Sequence, residues 1–574
     1  MAIVHRLLSP LVQVRKEEST TLLLMFLYSF LAMTSYNILK PLAAGMFIAV
    51  HGAENLPLML LVAGPLIAVI MLAIAAASAR LPQRWVIQIT QALIVALLVA
   101  FSVIFRVGAG WWSAIGVYLF RLILGTLLVS QVYTLANDIY DPRQAKRFFG
   151  FIAAGSSLGG LTASILVQQT VELVGFDNLM LVGAGLIFGC MAIVTAVQRR
   201  SKDVALKTVA AASEKKVAWT EGIRLLRDSK HLQIIATVIA LAAMGASLIE
   251  QQLSMAVEEF AGKGEGAGIS RMLATVQGYS SLFGLVISIW LTARIHRYLG
   301  VGVALLLLPI SLGATAVAML VTGALAASMV ARIVDTSLRY SVDKTTREIL
   351  YMPLPSDLKY KAKPFVDVAV DRIAKSGVNI LILVLIQPWG LALSWPQLSY
   401  ASLTILILWV YMAVRARKGY LEAFRRSIEQ RDIQPAEMRL DVADLSTVET
   451  LVEELAHPDE GRVLYAIEVL ESLDKRNLVT PLLLHHSSSA VRARALAALG
   501  SARSEIAKRW APVIQGMIKD ENPDVRAAAI GALASTRDQD AAALARTLLS
   551  DDDPRIAATA AVALSQSDHP DDQE

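Results

Sequence analysis

Four charged residues lie within a few helical turns of one another in an otherwise apolar stretch of this chain. They are Asp367, Asp371, Arg372 and Lys375. An ionisable side chain at bilayer depth costs roughly 2.5 to 3.5 kcal/mol, so a helix that keeps several is expected to face a hydrated path. Asp367, Asp371 and Lys375 recur at four-residue spacing and share one helix face. We predict that Asp367 contributes to gating and that Asp371 and Lys375 bind a ligand; the alternative is that the last two only neutralise each other.

Two arginines, Arg121 and Arg332, lie near the middle of apolar stretches, at equivalent places in the two halves of the chain. A guanidinium group matches the geometry of phosphate and carboxylate oxygens. The pair therefore predicts an anion-binding site between the halves. The alternative for Arg332 is a local ion pair with Asp335, three residues away on the same helix face, and we assign Asp335 to gating or coupling.

The composition indicates a membrane protein built from helices. The chain has 574 residues, of which 55% are hydrophobic, and a formal net charge of +5. It is too apolar for an ordinary soluble enzyme. Its Lys and Arg residues collect in short loops between apolar runs, which indicates membrane topology rather than nucleic-acid binding. We predict an all-α polytopic membrane protein with membrane lipids around it and no nucleic acid bound.

Apolar runs of about 20 residues, enough for a helix to cross a bilayer, occur twelve times. The predicted spans are 20–39, 56–79, 85–105, 112–136, 149–170, 175–197, 232–257, 272–293, 299–322, 324–343, 365–387 and 398–414. The tenth and eleventh depart most from a plain apolar pattern because they carry charges. Within the fifth, the small residues between 155 and 160 form a face that favours close helix packing, with a direct substrate role as the alternative.

The spans divide into two sets of six, and the loop charges orient them. Most loop Lys and Arg residues lie on the side of the N-terminus, which predicts cytoplasmic N- and C-termini in a bacterial inner membrane. The predicted domains are an N-terminal half at 1–200, a connector at 201–231, a C-terminal half at 232–415, a linker helix at 416–440, a repeat domain at 441–567 and an acidic tail at 568–574.

The soluble C-terminal part contains degenerate copies of one short pattern. Asp-Pro turns, Val-Arg pairs and Ala-x-x-Ala-Leu recur with a period near thirty residues, and the register arginines are Arg462, Arg492, Arg526 and Arg555. This pattern resembles short HEAT-like repeats. Each repeat hides its apolar stripe by stacking on the next, which predicts an α-solenoid that can dock a cytoplasmic protein partner.

The stretch from Arg347 to Gly377 also carries a family resemblance. The order Arg-Glu, Tyr-x-Pro-Leu, Lys-x-Lys-x-Lys, Asp, Arg, Lys-Ser-Gly is similar to a segment of the nucleotide (ATP/ADP) translocases of plastids and intracellular bacteria, which are related to the major facilitator fold. Weaker similarities are YNILKPL from Tyr36 and SLIEQQ from Ser247. The resemblance implies alternating access between two parallel six-helix halves, with a small anionic substrate, a nucleotide or another organic anion, bound between them.

The same resemblance implies roles for particular residues. Glu250 matches a functionally important acid of that family, and Asn37 and Lys40 of the first motif join it as predicted binding residues. The loops around Lys146 and Lys361 are expected to help close the inner side. Two departures weaken the match to a triphosphate. Ala43 and Ala44 stand where the family has a Lys-Asp pair, and Gln252 and Leu253 replace its Trp-Lys.

Other classes of function remain open as alternatives. No phosphate-binding loop, metal motif or nucleophile elbow occurs, so we expect no enzymatic activity and no cofactor, with transport driven by exchange or an ion gradient. One alternative is a membrane-anchored scaffold or receptor that presents the solenoid. Another is a proton-coupled exporter, with Asp367 or Asp371 titrating, or a transporter of lipid-like solutes.

Overall fold

The computed structural model is a helical protein with a membrane part and a C-terminal solenoid. It describes residues 18–108, 110–140, 142–200, 219–262, 264–354, 358, 361–363, 365–430, 445–473, 475–500, 504–535, 539–551 and 553–565. Across these ranges the chain forms helices, turns and loops, without a β-strand. The predicted acidic tail, most of the predicted connector and the last ten residues of the predicted linker helix lie outside the described residues.

The N-terminal half consists of long apolar helices, because a backbone in lipid must satisfy its hydrogen bonds within each segment. The helices are α1 Ser19–His51, α2 Leu56–Arg80, α3 Gln83–Val107 and α4 Trp111–Ile139. One further helical stretch, Pro142–Arg200, bends at Gly175, where φ is 83°. We call its arms α5 (142–174) and α6 (176–200). A positive φ favours glycine, so the predicted boundary between the fifth and sixth spans falls at this residue.

The C-terminal half repeats this architecture after a short helix. Its elements are α7 Trp219–Asp228, α8 Lys230–Ala261, α9 Gly266–Val286, α10 Thr292–Thr322, α11 Leu325–Leu338, α12 Lys344–Leu350, α13 Asp371–Ile386 and α14 Ser399–Gln430. Helix α10 bends at Gly300, and π-helical turns at Ile287–Leu291, Arg339–Asp343 and Phe365–Val370 adjoin α9, α11 and α13.

Eight helical stretches of the described residues are long and apolar enough to cross a membrane. Two of them, Arg147–Val197 and Gly266–Thr322, each contain two predicted spans separated by the bends at Gly175 and Gly300. The tenth and eleventh predicted spans are helical but are not among the eight. All-helical architecture is therefore confirmed, while the count of twelve spans stays a prediction.

The first span is longer than predicted, because helix α1 continues past Pro41 to His51. Proline lacks an N–H and leaves the carbonyl of Asn37 without its helical donor. The Gln277 side chain of α9 donates to that carbonyl at 3.2 Å. A contact between the halves thus occupies the acceptor that proline frees, and the helix continues.

Each half has its own apolar core, and the halves meet along several helices. Helices α1 and α5 of the N-terminal half pack on α9 of the C-terminal half, α1 also contacts α8, and α2 packs on α13. The predicted small-residue face of α5 packs on α1 within the N-terminal half: added Cβ atoms at Gly155 and Gly159 would lie 2.7 and 2.5 Å from carbonyl oxygens of α1. Close backbone approach therefore explains these glycines.

The solenoid stacks short helices in the predicted register. Its helices are α15 Leu445–Glu454, α16 Glu460–Ser472, α17 Ser489–Gly500, α18 Ser504–Gly516, α19 Pro523–Ala534, α20 Gln539–Leu548 and α21 Pro554–Ser565. Arg492 and Arg526 play equivalent parts: each donates to the carbonyl oxygens six and five residues earlier, at 2.9 to 3.2 Å. The repeated arginine therefore closes the turn before its helix.

The solenoid shares a core with the C-terminal half of the membrane part. Phe424, near the end of α14, is fully buried among solenoid residues, and Met352 contacts the cores of both parts. An ion pair of 2.8 Å between Arg425 and Glu453 lies at the same junction. These contacts attach the repeats to α10 and α14.

We expect Arg492→Ala to lower the free energy of unfolding of the middle of the solenoid by about 2 kcal/mol, because Arg492 forms two charge-assisted hydrogen bonds. Both guanidinium contacts to Asp520 are 2.9 Å long. They hold the pKa of Asp520 below its usual range. The pair therefore contributes its whole stabilisation above the ordinary aspartate pKa of about 3.9. This contribution is lost as the pH falls through the lower pKa that Asp520 has in the folded protein.

Hydrogen exchange of peptides from α17 and α19, measured on the full chain in detergent, tests this expectation. Arg494→Ala is the matched control, because Arg494 is more exposed and pairs with Glu471. Equal protection in Arg492→Ala and the parent protein at neutral pH would contradict the assignment.

Candidate functional site

A cavity of about 220 Å³ lies between the two halves of the membrane part. Helices α1, α2 and α4 line it from the N-terminal half, and α8, α9, α11 and α13 line it from the C-terminal half. Its charged lining residues are Lys40, Arg121, Glu250 and Arg332, and Asn37 also borders it. Five of the predicted binding residues are therefore brought together in one place.

Lys40, Arg121 and Glu250 lie at the same depth. Lys40 is eleven residues before the end of α1, and Glu250 is eleven before the end of α8. Arg121 is ten residues after the start of α4. At 1.5 Å per residue these positions are all about 15 to 16 Å from the end of the bundle at which α1 and α8 end and α4 begins. This distance is about half the thickness of a 30 Å hydrocarbon core. Glu250 therefore lies well inside α8 and not at a helix end.

Arg121 is buried with unused hydrogen-bonding capacity. Its side chain stacks over the ring of Tyr118 at 4.4 Å, and it donates to the Lys40 carbonyl at 3.2 Å. The residue is 5% exposed, and its Nε has no hydrogen-bond partner in the part of the chain that the structure describes. Among the ion pairs of the described residues, none includes Arg121 or Lys40. A guanidinium has five N–H donors, so Arg121 retains several for a ligand.

Arg332 belongs to a balanced cluster within the C-terminal half. It contacts Glu250 at 3.2 Å and Asp335 at 3.3 Å. Asp335 is 1% exposed and also accepts from Arg339, whose Nε lies 3.1 Å from the carboxylate. The predicted local pair of Arg332 and Asp335 is confirmed. The cluster contains two arginines and two carboxylates, so its formal charge is zero.

The charge pattern of α11 continues through its π-helical turn. Asp343 pairs with Arg347 at 2.7 Å, so alternating charges extend from the cavity toward α12. Both side chains are mostly buried. π-Helical turns are frequent at functional sites. This series connects the cavity lining to the segment that precedes Met352.

The predicted charged face of α13 lies mostly outside the cavity. Asp371 and Lys375 form an ion pair of 2.8 Å, as the neutralisation alternative predicted, and neither lines the cavity. Asp367 accepts a hydrogen bond of 2.9 Å from the Tyr351 hydroxyl. Asn379, one turn beyond Lys375, does line the cavity. The four-residue spacing extends to Asn379, so the pattern offered a signal for this residue that we missed.

The remaining gating predictions, Lys146 and Lys361, fall on helical residues, and Lys146 lies in α5. Lys361 is exposed, and the side chain of Lys146 lies outside the described part of the chain. The residues missed by sequence reasoning include Tyr118, one turn before Arg121, and Gln277 of α9, both of which line the cavity. Gln252, which departs from the family pattern, donates a hydrogen bond of 2.9 Å to the Ser399 hydroxyl. It therefore joins α8 to α14 instead of facing the cavity.

The two halves are joined at the end of the bundle that contains Ala53, Glu258 and Gln387, which we call the closed end. The Ala53 N–H donates to Glu258 at 2.8 Å, and Gln251 donates to the Ala53 carbonyl at 2.8 Å. Gln387 donates to the Glu54 carbonyl at 3.1 Å. These contacts separate the cavity from that end.

Helices α1 and α9 approach closely on the closed-end side of the cavity. The Ser270 hydroxyl donates to the Pro41 carbonyl at 3.1 Å. A Cβ added at Gly45 would lie 2.0 Å from that hydroxyl and 2.7 Å from the Gly266 carbonyl. Only glycine therefore fits at this crossing in the observed conformation.

Comparison with known protein families gives two matches. The model of the Major Facilitator Superfamily matches residues 22–338, and the model of HEAT repeats matches residues 510–574. The chain is 25% identical to the Plastidic ATP/ADP-transporter of Solanum tuberosum over an alignment of 368 positions, which covers 58% of this chain and 57% of that relative. It is 23% identical to ADP,ATP carrier protein 1 of Rickettsia prowazekii over an alignment of 353 positions, which covers 54% of this chain and 70% of that carrier. The chain thus spans just over half the length of the plant relative.

Solved structures of transporters share the fold of the membrane part. A crystal structure of the peptide transporter POT has a TM-score of 0.50 and 15% identity, covering 72% of this chain and 99% of that chain. A bacterial homologue of the iron transporter ferroportin in an inward-facing state also has a TM-score of 0.50, with 13% identity and coverage of 69% and 98%. At these identities the likeness concerns the fold alone.

Proposed function

The chain belongs to the Major Facilitator Superfamily, and from this premise we propose that it is a secondary transporter that exchanges nucleotides or related phosphorylated anions. The observation that carries the proposal is Arg121, a buried guanidinium with free donors at a cavity between the two halves. A buried cation without a counter-ion is costly. An anionic substrate would supply the missing partner.

The proposed cycle is alternating access. The contacts of Ala53 with Gln251 and Glu258 close one end of the cavity, and the transport cycle would break them while the opposite end closes. With the loop charges placed in the cytoplasm, the closed end faces outward, and the conformation is inward-facing. We place the protein in a bacterial inner membrane with both termini in the cytoplasm.

Exchange rather than net flux follows from the charges at the cavity. An empty site keeps Lys40 and Arg121 without a carboxylate partner among the described residues, and occluding them in that state would be unfavourable. A loaded site removes this cost, so the carrier would reorient mainly with substrate bound. The names of the curated relatives, which are ATP/ADP carriers, support nucleotides as the first substrates to test.

Purified protein in proteoliposomes tests the proposal. We expect uptake of a labelled nucleotide or other phosphorylated anion into vesicles preloaded with the unlabelled compound, and much less uptake into empty vesicles. Protein-free vesicles are the control. If no nucleotide or other phosphorylated anion is taken up, and none raises the unfolding temperature, the proposal fails.

The solenoid is proposed to regulate the carrier or to dock a cytoplasmic protein. Its shared core with the C-terminal half, through Met352 and Phe424, supports coupling between the repeats and the movement of that half. Solenoids bind partners on extended concave surfaces.

A further inference from the structure

The unbalanced charge of the cavity lies in one half only. Three cations and one carboxylate line the cavity, which leaves an excess of two positive charges. Glu250 and Asp335 balance Arg332 and Arg339 in the C-terminal half. The excess therefore belongs to Lys40 and Arg121 of the N-terminal half, which adjoin each other through the hydrogen bond from Arg121 to the Lys40 carbonyl.

We propose that this site is matched to a single doubly charged phosphate monoester group, and that Glu250 limits the substrate's charge by repelling further phosphates. The inference rests on the proposed function and narrows its substrate class. A phosphate monoester carries about −1.5 to −2 charges at pH 7 and has three acceptor oxygens. These match the charge of Lys40 and Arg121 and the free donors of the guanidinium.

Glu250 rather than Asp335 is placed to act on the ligand. Asp335 is almost fully buried and is held by two arginines. Glu250 lines the cavity, and 46% of its side chain is exposed there, although it also pairs with Arg332. A third or fourth negative charge extending from the cationic side would meet this carboxylate. Like charges close to each other in a partly buried site repel strongly, so a substrate with these extra charges would bind more weakly.

The size of the cavity is consistent with this limit. Its volume of about 220 Å³ is below the range of roughly 300 to 1,000 Å³ for pockets that enclose drug-sized ligands. In the observed conformation the site therefore accommodates a compact charged group rather than an extended polyphosphate chain. The rest of a larger substrate would extend toward the end of the bundle opposite the closed end.

Competition experiments in proteoliposomes test the proposal. Exchange of a labelled nucleoside monophosphate is measured against unlabelled mono-, di- and triphosphates of the same nucleoside, and against a dicarboxylate of similar size. In the parent protein the monophosphate should compete at a concentration at least about tenfold lower than the triphosphate, which corresponds to about 1.4 kcal/mol. In Glu250→Gln that ratio should shrink to about threefold or less, because the repulsion is gone.

Two further variants make the result specific. Glu54→Gln removes the same type of charge from an exposed side chain outside the cavity, and its ratio should equal that of the parent protein. Glu250→Asp retains the charge and should retain the preference for the monophosphate, which guards against loss of folding in Glu250→Gln.

The outcomes separate this inference from the proposed function. If all three nucleotides compete at similar concentrations, or if the preference for the monophosphate is unchanged in Glu250→Gln, the proposal that Glu250 limits the substrate's charge is overturned. The proposed exchange of phosphorylated anions is then unaffected. Equal competition by the dicarboxylate overturns the phosphate assignment. Absence of exchange with every phosphate compound overturns both proposals.

Discussion

Arg121→Ala should abolish substrate exchange while the protein still folds and inserts. Charge-assisted hydrogen bonds contribute about 1.5 to 3 kcal/mol each, so losing two of them with the substrate reduces binding by about a hundredfold or more. Folding should tolerate the change, because Arg121 gives one hydrogen bond to the described residues and its Nε has no partner among them. Removing a buried cation without a carboxylate partner relieves an unfavourable charge.

Exchange in proteoliposomes and thermal unfolding in detergent measure the two parts of this expectation. Arg121→Lys retains the charge without the planar fork and should retain partial activity. Arg106→Ala is the matched control, because Arg106 pairs with Asp177 at 2.8 Å outside the cavity. Near-normal exchange by Arg121→Ala would remove this residue from the site.

Gly45→Leu should hold the closed end open and stop the transport cycle. A side chain at Gly45 would overlap the Ser270 hydroxyl and the Gly266 carbonyl in the observed conformation. Overpacking of this kind typically costs about 1 to 3 kcal/mol and more where backbone must move. We therefore expect at least a tenfold fall in exchange, about 1.4 kcal/mol, as the conformation closed at this end becomes unfavourable.

Cysteine labelling distinguishes an open cavity from a misfolded protein. Cys190 is buried and is the one cysteine of the sequence, so a Ser254→Cys variant introduces one further thiol, into the cavity lining. A membrane-impermeant maleimide added from the closed-end side should label it faster in the Gly45→Leu background. Gly64→Leu is the control, because no atom lies within 4 Å of a Cβ at Gly64. Unchanged labelling with normal exchange would show that α1 and α9 do not need to meet at Gly45.

Local patterns in the sequence were sufficient for most of the architecture. Apolar run lengths placed the helices, and the repeated arginines placed the solenoid register, because both features are periodic along the chain. Charges inside apolar runs identified Arg121 and Arg332, and the resemblance to the nucleotide translocases pointed to Lys40 and Glu250; all four line the cavity. The pair of Asp371 and Lys375 was also foreseeable, since residues four apart are neighbours on a helix.

Contacts between distant segments could not be predicted from one sequence. Glu250 and Arg332 are 82 positions apart, and only the folded arrangement shows that Glu250 shares Arg332 with Asp335. Gln277 was missed because its role depends on Pro41, which frees an acceptor on another helix. Which end of the cavity is closed depends on the relative tilt of the two halves, a quantity that hydropathy does not encode.

The shared core at Met352 and Phe424 has a consequence for any protein that binds to the repeats. Because the solenoid packs on the C-terminal half, a protein that binds the repeats more tightly in one conformation of that half must shift the carrier toward that conformation. Linkage requires the reverse effect to have the same size. Substrate binding in the membrane part would then change the partner's affinity for the repeats. A partner in the cytoplasm would thereby respond to the occupancy of the carrier.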